Sequence, residues 1–92
     1  MVLLISYDLS GLERPSSYTK VKNYIEKHAS AFIRPLYSQW FVETSSAPQQ
    51  WVDALRSNSL IDANDKLFIC KVTRPYQGWL TEQQWQWLNA HI

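Results

Sequence analysis

The chain has 92 residues, nine Lys and Arg against eight Asp and Glu, and hydrophobic residues at 46%, with five Trp and five Tyr. That length is one small domain, and that apolar content excludes intrinsic disorder. A formal net charge of +1 excludes the bulk electrostatics of a nucleic-acid coat protein, so any polyanion site is a local patch. The single cysteine, Cys70, cannot close an internal disulfide, and a reducing cytoplasm is the expected compartment. The opening apolar run Met1-Val2-Leu3-Leu4-Ile5 is too short for a signal peptide or a membrane span, so no membrane partner is expected.

Val2 to Leu9 reads as a strand that stops at Ser10-Gly11. Alternation puts Leu3, Ile5, Tyr7 and Leu9 on one face and Val2, Leu4, Ser6 and Asp8 on the other. After a loop at Gly11 to Pro15, Ser16 or Ser17 can cap a helix. Tyr18, Val21, Ile25 and His28 give that helix its apolar stripe, with lysines and polar residues around the rest. Ala31 to Leu36 predicts a second strand, and Pro35 within it suggests an edge or a bulge. Tyr37 to Thr44 predicts a third strand, with Ser38, Trp40 and Val42 on one face.

Thr44 to Pro48 leads into a second helix, with Ser46 the expected cap and Trp51, Val52 and Leu55 the apolar side. Asp62-Ala63-Asn64-Asp65 is turn chemistry. Lys66 to Val72 predicts a fourth strand, broken at Arg74 to Gly78. Thr81-x-x-Gln84 is a capping box opening a helix over 81–92, with Trp85, Leu88 and Ile92 on one side. The order βαββαβ plus a C-terminal helix implies an α+β, ferredoxin-like sandwich with two helices on one sheet face. Val2, Leu4, Trp40 and Val42 are assigned to the helix-free face, which calls for a dimer or for the C-terminal segment folded over it.

Three short motifs, Tyr7-Asp8 at the end of the first strand, Ser38-x-Trp40 in the third, and Asn64-Asp65 before Leu67-Phe68-Ile69, resemble those of the small CRISPR-associated protein 2 family and its stand-alone relatives. The resemblance spans about residues 1–73. It implies a ferredoxin-fold homodimer with Asp8 of each subunit near the two-fold axis. It also implies a divalent-metal-dependent endonuclease of RNA or DNA, or else a non-catalytic bridge. The chain departs from the family where clustered arginines usually follow the Asp. Here Leu9 to Glu13 intervenes and only Arg14 remains, Tyr37 stands for a glutamine, and Trp40 for a phenylalanine.

Asp8 is the one residue whose position suggests chemistry: as a ligand of Mg²⁺ or Mn²⁺ it would be catalytic, since a hard cation takes one or two carboxylates plus phosphate oxygens and water. The plainer alternative is a strand-end carboxylate bonded to loop amides. Arg14 and Arg34 are the candidate phosphate contacts, and Ser38 a residue that orients a phosphate. His28 and His91 lack partners at metal-ligand spacing, Cys70 reads as a small core hydrophobe, and Trp79 and Trp87 are the tryptophans freest to stack on bases. A non-catalytic dimeric scaffold that binds nucleic acid or protein, and a small regulatory domain unrelated to nucleic acid, are the competing classes.

Overall fold

The strand Val2–Asp8 (β1) is apolar on both faces for most of its length, which demands cover from two sides. In the computed structural model, which describes residues 1–9 and 15–92 without the side chains of Pro15 and Ser16, it receives that cover. Arg14 and most of the loop expected before the first helix lie outside the described residues. The elements that follow β1 are α1 (Pro15–His28), β2 (Ala31–Leu36), β3 (Gln39–Glu43), α2 (Pro48–Ser57), β4 (Lys66–Lys71) and α3 (Glu82–His91). The protein is α+β: the strands form one antiparallel sheet in the order β2-β3-β1-β4.

Helix α1 begins at Pro15, so Ser16 and Ser17 fall in its first turn rather than before it. A proline there removes an amide that would have had no helical partner. Tyr18, Val21 and Ile25 are buried as the 3.6-residue stripe requires. His28 is instead exposed, with its ring 4.1 Å from that of Tyr24. The cap of α2 is Ala47, not Ser46. It has no side-chain cap, and its N–H donates to Oε1 of Gln50 at 2.7 Å. In α3 the capping box is complete: Gln84 N–H donates to Thr81 Oγ1 at 3.2 Å, and Thr81 N–H to Gln84 Oε1 at 3.0 Å. Edge strand β2 shifts register between Ile33 and Leu36, where Pro35 cannot donate to the ladder.

Register decides the faces. Leu3 pairs with Val42 and Ile5 with Trp40, so Trp40 and Val42 lie with Leu3, Ile5 and Tyr7 under α1 and α2, in one cluster with Val21, Ile25, Trp51 and Leu55. This corrects the assignment of Trp40 and Val42 to the other face. Within this core, Thr44 is the buried polar residue, and its Oγ1 accepts from Trp51 Nε1 at 3.3 Å and from Ser46 N–H at 3.1 Å.

The opposite face carries Val2, Leu4, Ser6 and Asp8 of β1, Gln39, Phe41 and Glu43 of β3, and Lys66, Phe68 and Cys70 of β4. The chain's own C-terminal segment covers part of it. Leu88 of α3 is buried, and a cavity of about 450 Å³ separates Leu4, Phe41 and Cys70 from Tyr76, Trp85 and Leu88. Tyr76 OH donates to Asn89 Oδ1 at 2.8 Å, Arg74 Nη1 donates to the same oxygen at 3.3 Å, and the Tyr76 and Trp85 rings stack at 6.2 Å. Val2 is already buried within one chain, and only Leu4 of the four residues assigned to an interface is half-buried on this face. No helix among the described residues is long and apolar enough to cross a membrane.

This packing has a direct test. Leu88→Ala leaves a hole beneath α3 and is expected to lower stability by about 2–5 kcal/mol in urea unfolding. Trp79, which is fully exposed, should change stability by less than about 0.5 kcal/mol when replaced by alanine. Equal effects of the two substitutions would contradict the placement of α3.

Candidate functional site

The C-terminal end of β1 and the β2–β3 turn meet at one end of the sheet. Tyr7 N–H donates to the Ser38 carbonyl at 3.1 Å, so the backbone itself ties the Tyr7-Asp8 pair to the turn that carries Ser38. Of the expected site residues, Asp8, Arg34 and Ser38 are thus brought to a common edge, whereas Arg14 lies outside the described residues.

Alternation nonetheless separates their side chains. Asp8 points to the α3 side of the sheet, where it is exposed, and its cross-strand neighbour is Lys66. Among the described residues no ion pair joins them. Tyr7 points the other way, into the core, where its hydroxyl accepts a hydrogen bond from Trp40 Nε1 at 2.9 Å. The neighbouring Tyr18 hydroxyl accepts from Leu9 N–H at 3.3 Å. The ring of Tyr18 is 6.0 Å from that of Tyr7 and 5.1 Å from that of Tyr37.

Arg34 closes this aromatic group on the same side as Tyr7. Its Nε donates to the Tyr37 carbonyl at 2.7 Å, and its guanidinium carbon lies 4.7 Å from the Tyr37 ring centre and 4.9 Å from that of Trp40. Both distances are within cation–π range. Tyr37 is the residue that sequence reasoning missed. It stood out only as a departure from a family pattern, although an aromatic three residues after an arginine, across a proline-bearing hairpin, was the available signal.

The remaining candidates are structural. Cys70 is half-buried and lines the cavity under α3. His91 stacks on Trp87 with ring centres 3.9 Å apart, and its Nδ1 lies 2.7 Å from the Trp87 carbonyl oxygen. The Asp62 to Asp65 turn is held from within: Asn64 N–H donates to Asp62 Oδ1 at 2.8 Å, and Asp62 N–H to Asp65 Oδ2 at 3.0 Å. Among the described residues no group of three or more His, Cys, Asp and Glu is placed to hold a metal ion.

Burial raises the Tyr7 phenol above its usual value of 10.0, against the opposing pull of the Trp40 hydrogen bond and the Arg34 charge. Below that pH both the folded and unfolded chains keep the proton. Above it the unfolded chain loses the proton first, so this contribution to stability falls as pH rises through the folded value. Tyr7→Phe should therefore flatten the alkaline fall in stability measured by urea unfolding at successive pH values. At neutral pH it should cost about 1–3 kcal/mol, because Trp40 Nε1 loses its acceptor. An alkaline profile identical in the two proteins would contradict this.

No protein-family model matches the chain, and no curated protein matches it. Two of the three short motifs singled out in the sequence, Tyr7-Asp8 and Ser38-x-Trp40, meet at this end of the sheet.

Proposed function

We propose that this chain is a ferredoxin-like protein of the CRISPR-associated protein 2 type that pairs through the open part of its α3-side sheet face and acts on RNA or DNA as a divalent-metal-dependent endonuclease. The observation that carries this reading is the row Leu36, Gln39, Ser6 and Phe68, which runs across the sheet in register beside Asp8 and stays exposed at both ends, although Leu36 and Gln39 border the cavity under α3. Leu36 is 54% and Phe68 64% exposed, while Gln39 Nε2 donates to Ser6 Oγ at 3.2 Å in the middle. The row is apolar at both ends and polar at its centre. A two-fold axis parallel to the strands and between β3 and β1 would set Leu36 of one copy over Phe68 of the other. The same axis would bring the two Asp8 side chains to face each other.

Among the described residues one copy supplies a single exposed carboxylate here, Asp8, short of a metal site on its own. Two Asp8 carboxylates, completed by substrate phosphate and water, fit the minimum that Mg²⁺ or Mn²⁺ requires. Such an ion, when bound, supplies an activated water and neutralises charge on the scissile phosphate. Around it, the chain's own part is to hold the strand, with Arg34 and Ser38 at the hairpin end. The solitary Cys70 accords with a cytoplasmic setting.

A second reading, a non-catalytic dimeric scaffold, draws support from Lys66, a cation opposite Asp8 that competes with a metal for the carboxylate. The experiments separate the two. Light scattering at micromolar concentration should give a dimer, and Phe68→Glu, at a position exposed in the single chain, should give a folded monomer. With Mg²⁺ or Mn²⁺ the wild type should cleave single-stranded RNA or DNA, and Asp8→Asn or a chelator should reduce cleavage to background. Binding without metal-stimulated cleavage selects the scaffold. Cleavage indifferent to Asp8, or a wild-type monomer, contradicts the proposal.

A further inference from the structure

Among the described residues, the guanidinium of Arg34 is held in place without a counter-ion. Its Nε is committed to the Tyr37 carbonyl at 2.7 Å, and two rings, one buried and one exposed, fix its position. Among the described residues no carboxylate pairs with it. Toward the described residues the terminal nitrogens Nη1 and Nη2 are therefore uncommitted donors, on a side chain already fixed at its Nε and by two rings. That is the arrangement in which an arginine recognises a phosphate or carboxylate with two parallel hydrogen bonds. Beside it, Tyr37 is 66% exposed, and Tyr18 supports its ring at 5.1 Å. A largely exposed ring, next to a guanidinium with no carboxylate partner among the described residues, matches a ligand in which planar apolar groups alternate with anions.

We propose that Arg34 and Tyr37 form a clamp for single-stranded nucleic acid, the guanidinium taking a backbone phosphate and the Tyr37 ring an unpaired base. This deepens, and rests on, the nucleic-acid reading above, but it uses the opposite side of the sheet from Asp8. A carboxylate-bearing partner would satisfy the guanidinium and leave the ring without a role. A duplex would offer the phosphate but hide the base faces. The net charge of +1 gives little long-range attraction, so stacking must carry much of the affinity, as it does for proteins that bind single strands through aromatic side chains. The Ser38 carbonyl, bonded to Tyr7 N–H, ties this hairpin to the strand end one residue before Asp8.

The probe is a dye-labelled single strand of about 12 nucleotides, followed by fluorescence anisotropy with the full chain and compared with a duplex of the same sequence. The wild type should prefer the single strand. Tyr37→Ala should weaken binding about ten-fold, and Tyr37→Phe, which keeps the ring, should restore it to within about two-fold. Arg34→Gln should lower the steepness of log K against log salt by about 0.7, the loss of one phosphate contact to a single strand. Tyr37 is exposed, so its variants are expected to keep the wild-type melting temperature, which makes the result readable even if Arg34→Gln misfolds. A wild type that binds no oligonucleotide overturns both the clamp and the functional proposal. A wild type that binds, with Tyr37→Ala equal to it or Tyr37→Phe as weak as Tyr37→Ala, overturns the clamp alone.

Discussion

The pairing of β1 with β3, with Ile5 opposite Trp40 and Leu4 opposite Phe41, sorts the side chains at the centre of the molecule. Side chains alternate along a strand, so a slip of one residue would send Trp40 into the α3 side and Phe41 into the main core. The register is locked by more than the ladder. The hydrogen bond from Trp40 Nε1 to the Tyr7 hydroxyl forms only when both side chains share a face, and it satisfies a buried indole that would otherwise cost about 1–3 kcal/mol. With that register in place, Leu3, Ile5 and Tyr7 belong to α1 and α2, and Val2 and Leu4 belong to the side that α3 shields. The exposed Asp8 falls at the end of the α3-side row.

Much of this was open to inspection in the amino-acid order. The stripe Tyr18, Val21 and Ile25, the capping box Thr81-x-x-Gln84 and the Asp62 to Asp65 turn each carry their own local cause, whether spacing, a side-chain acceptor or short polar groups. Strand β3 is the instructive failure. Trp40, Phe41 and Val42 are consecutive apolar residues, so its alternation has no phase that can be read locally, and only pairing with β1 decides which residues face α1 and α2. The site follows the same division. Asp8 could be placed at a strand end from its neighbours, whereas Ser38, expected inside the third strand, lies in the turn before it. The stacking of Arg34 between Tyr37 and Trp40 could not be read that way, because it depends on the register shift around Pro35 in β2.

Functionally, the sheet divides by end as well as by face. The end near Val2 is buried on both sides and serves stability. The end near Asp8 keeps polar and aromatic groups open, with Asp8, Lys66 and Phe68 on one face and Arg34 and Tyr37 on the other. The C-terminal segment shapes this asymmetry, because α3 and the Tyr76–Asn89 contacts shield the Leu4–Phe41–Cys70 level, border Leu36 and Gln39 through the same cavity, and leave Phe68 exposed. Exposed apolar side chains grouped beside polar ones, as at this end, mark surfaces that make contacts with other molecules.

The central claim is that the Asp8 end of the sheet is the working end, and amide chemical-shift mapping tests it most directly. On addition of a single-stranded oligonucleotide to labelled protein, the account predicts shifts concentrated at residues 7–8 and 34–39. Shifts confined to α2 or α3, or to the buried Val2 end of the sheet, would contradict it.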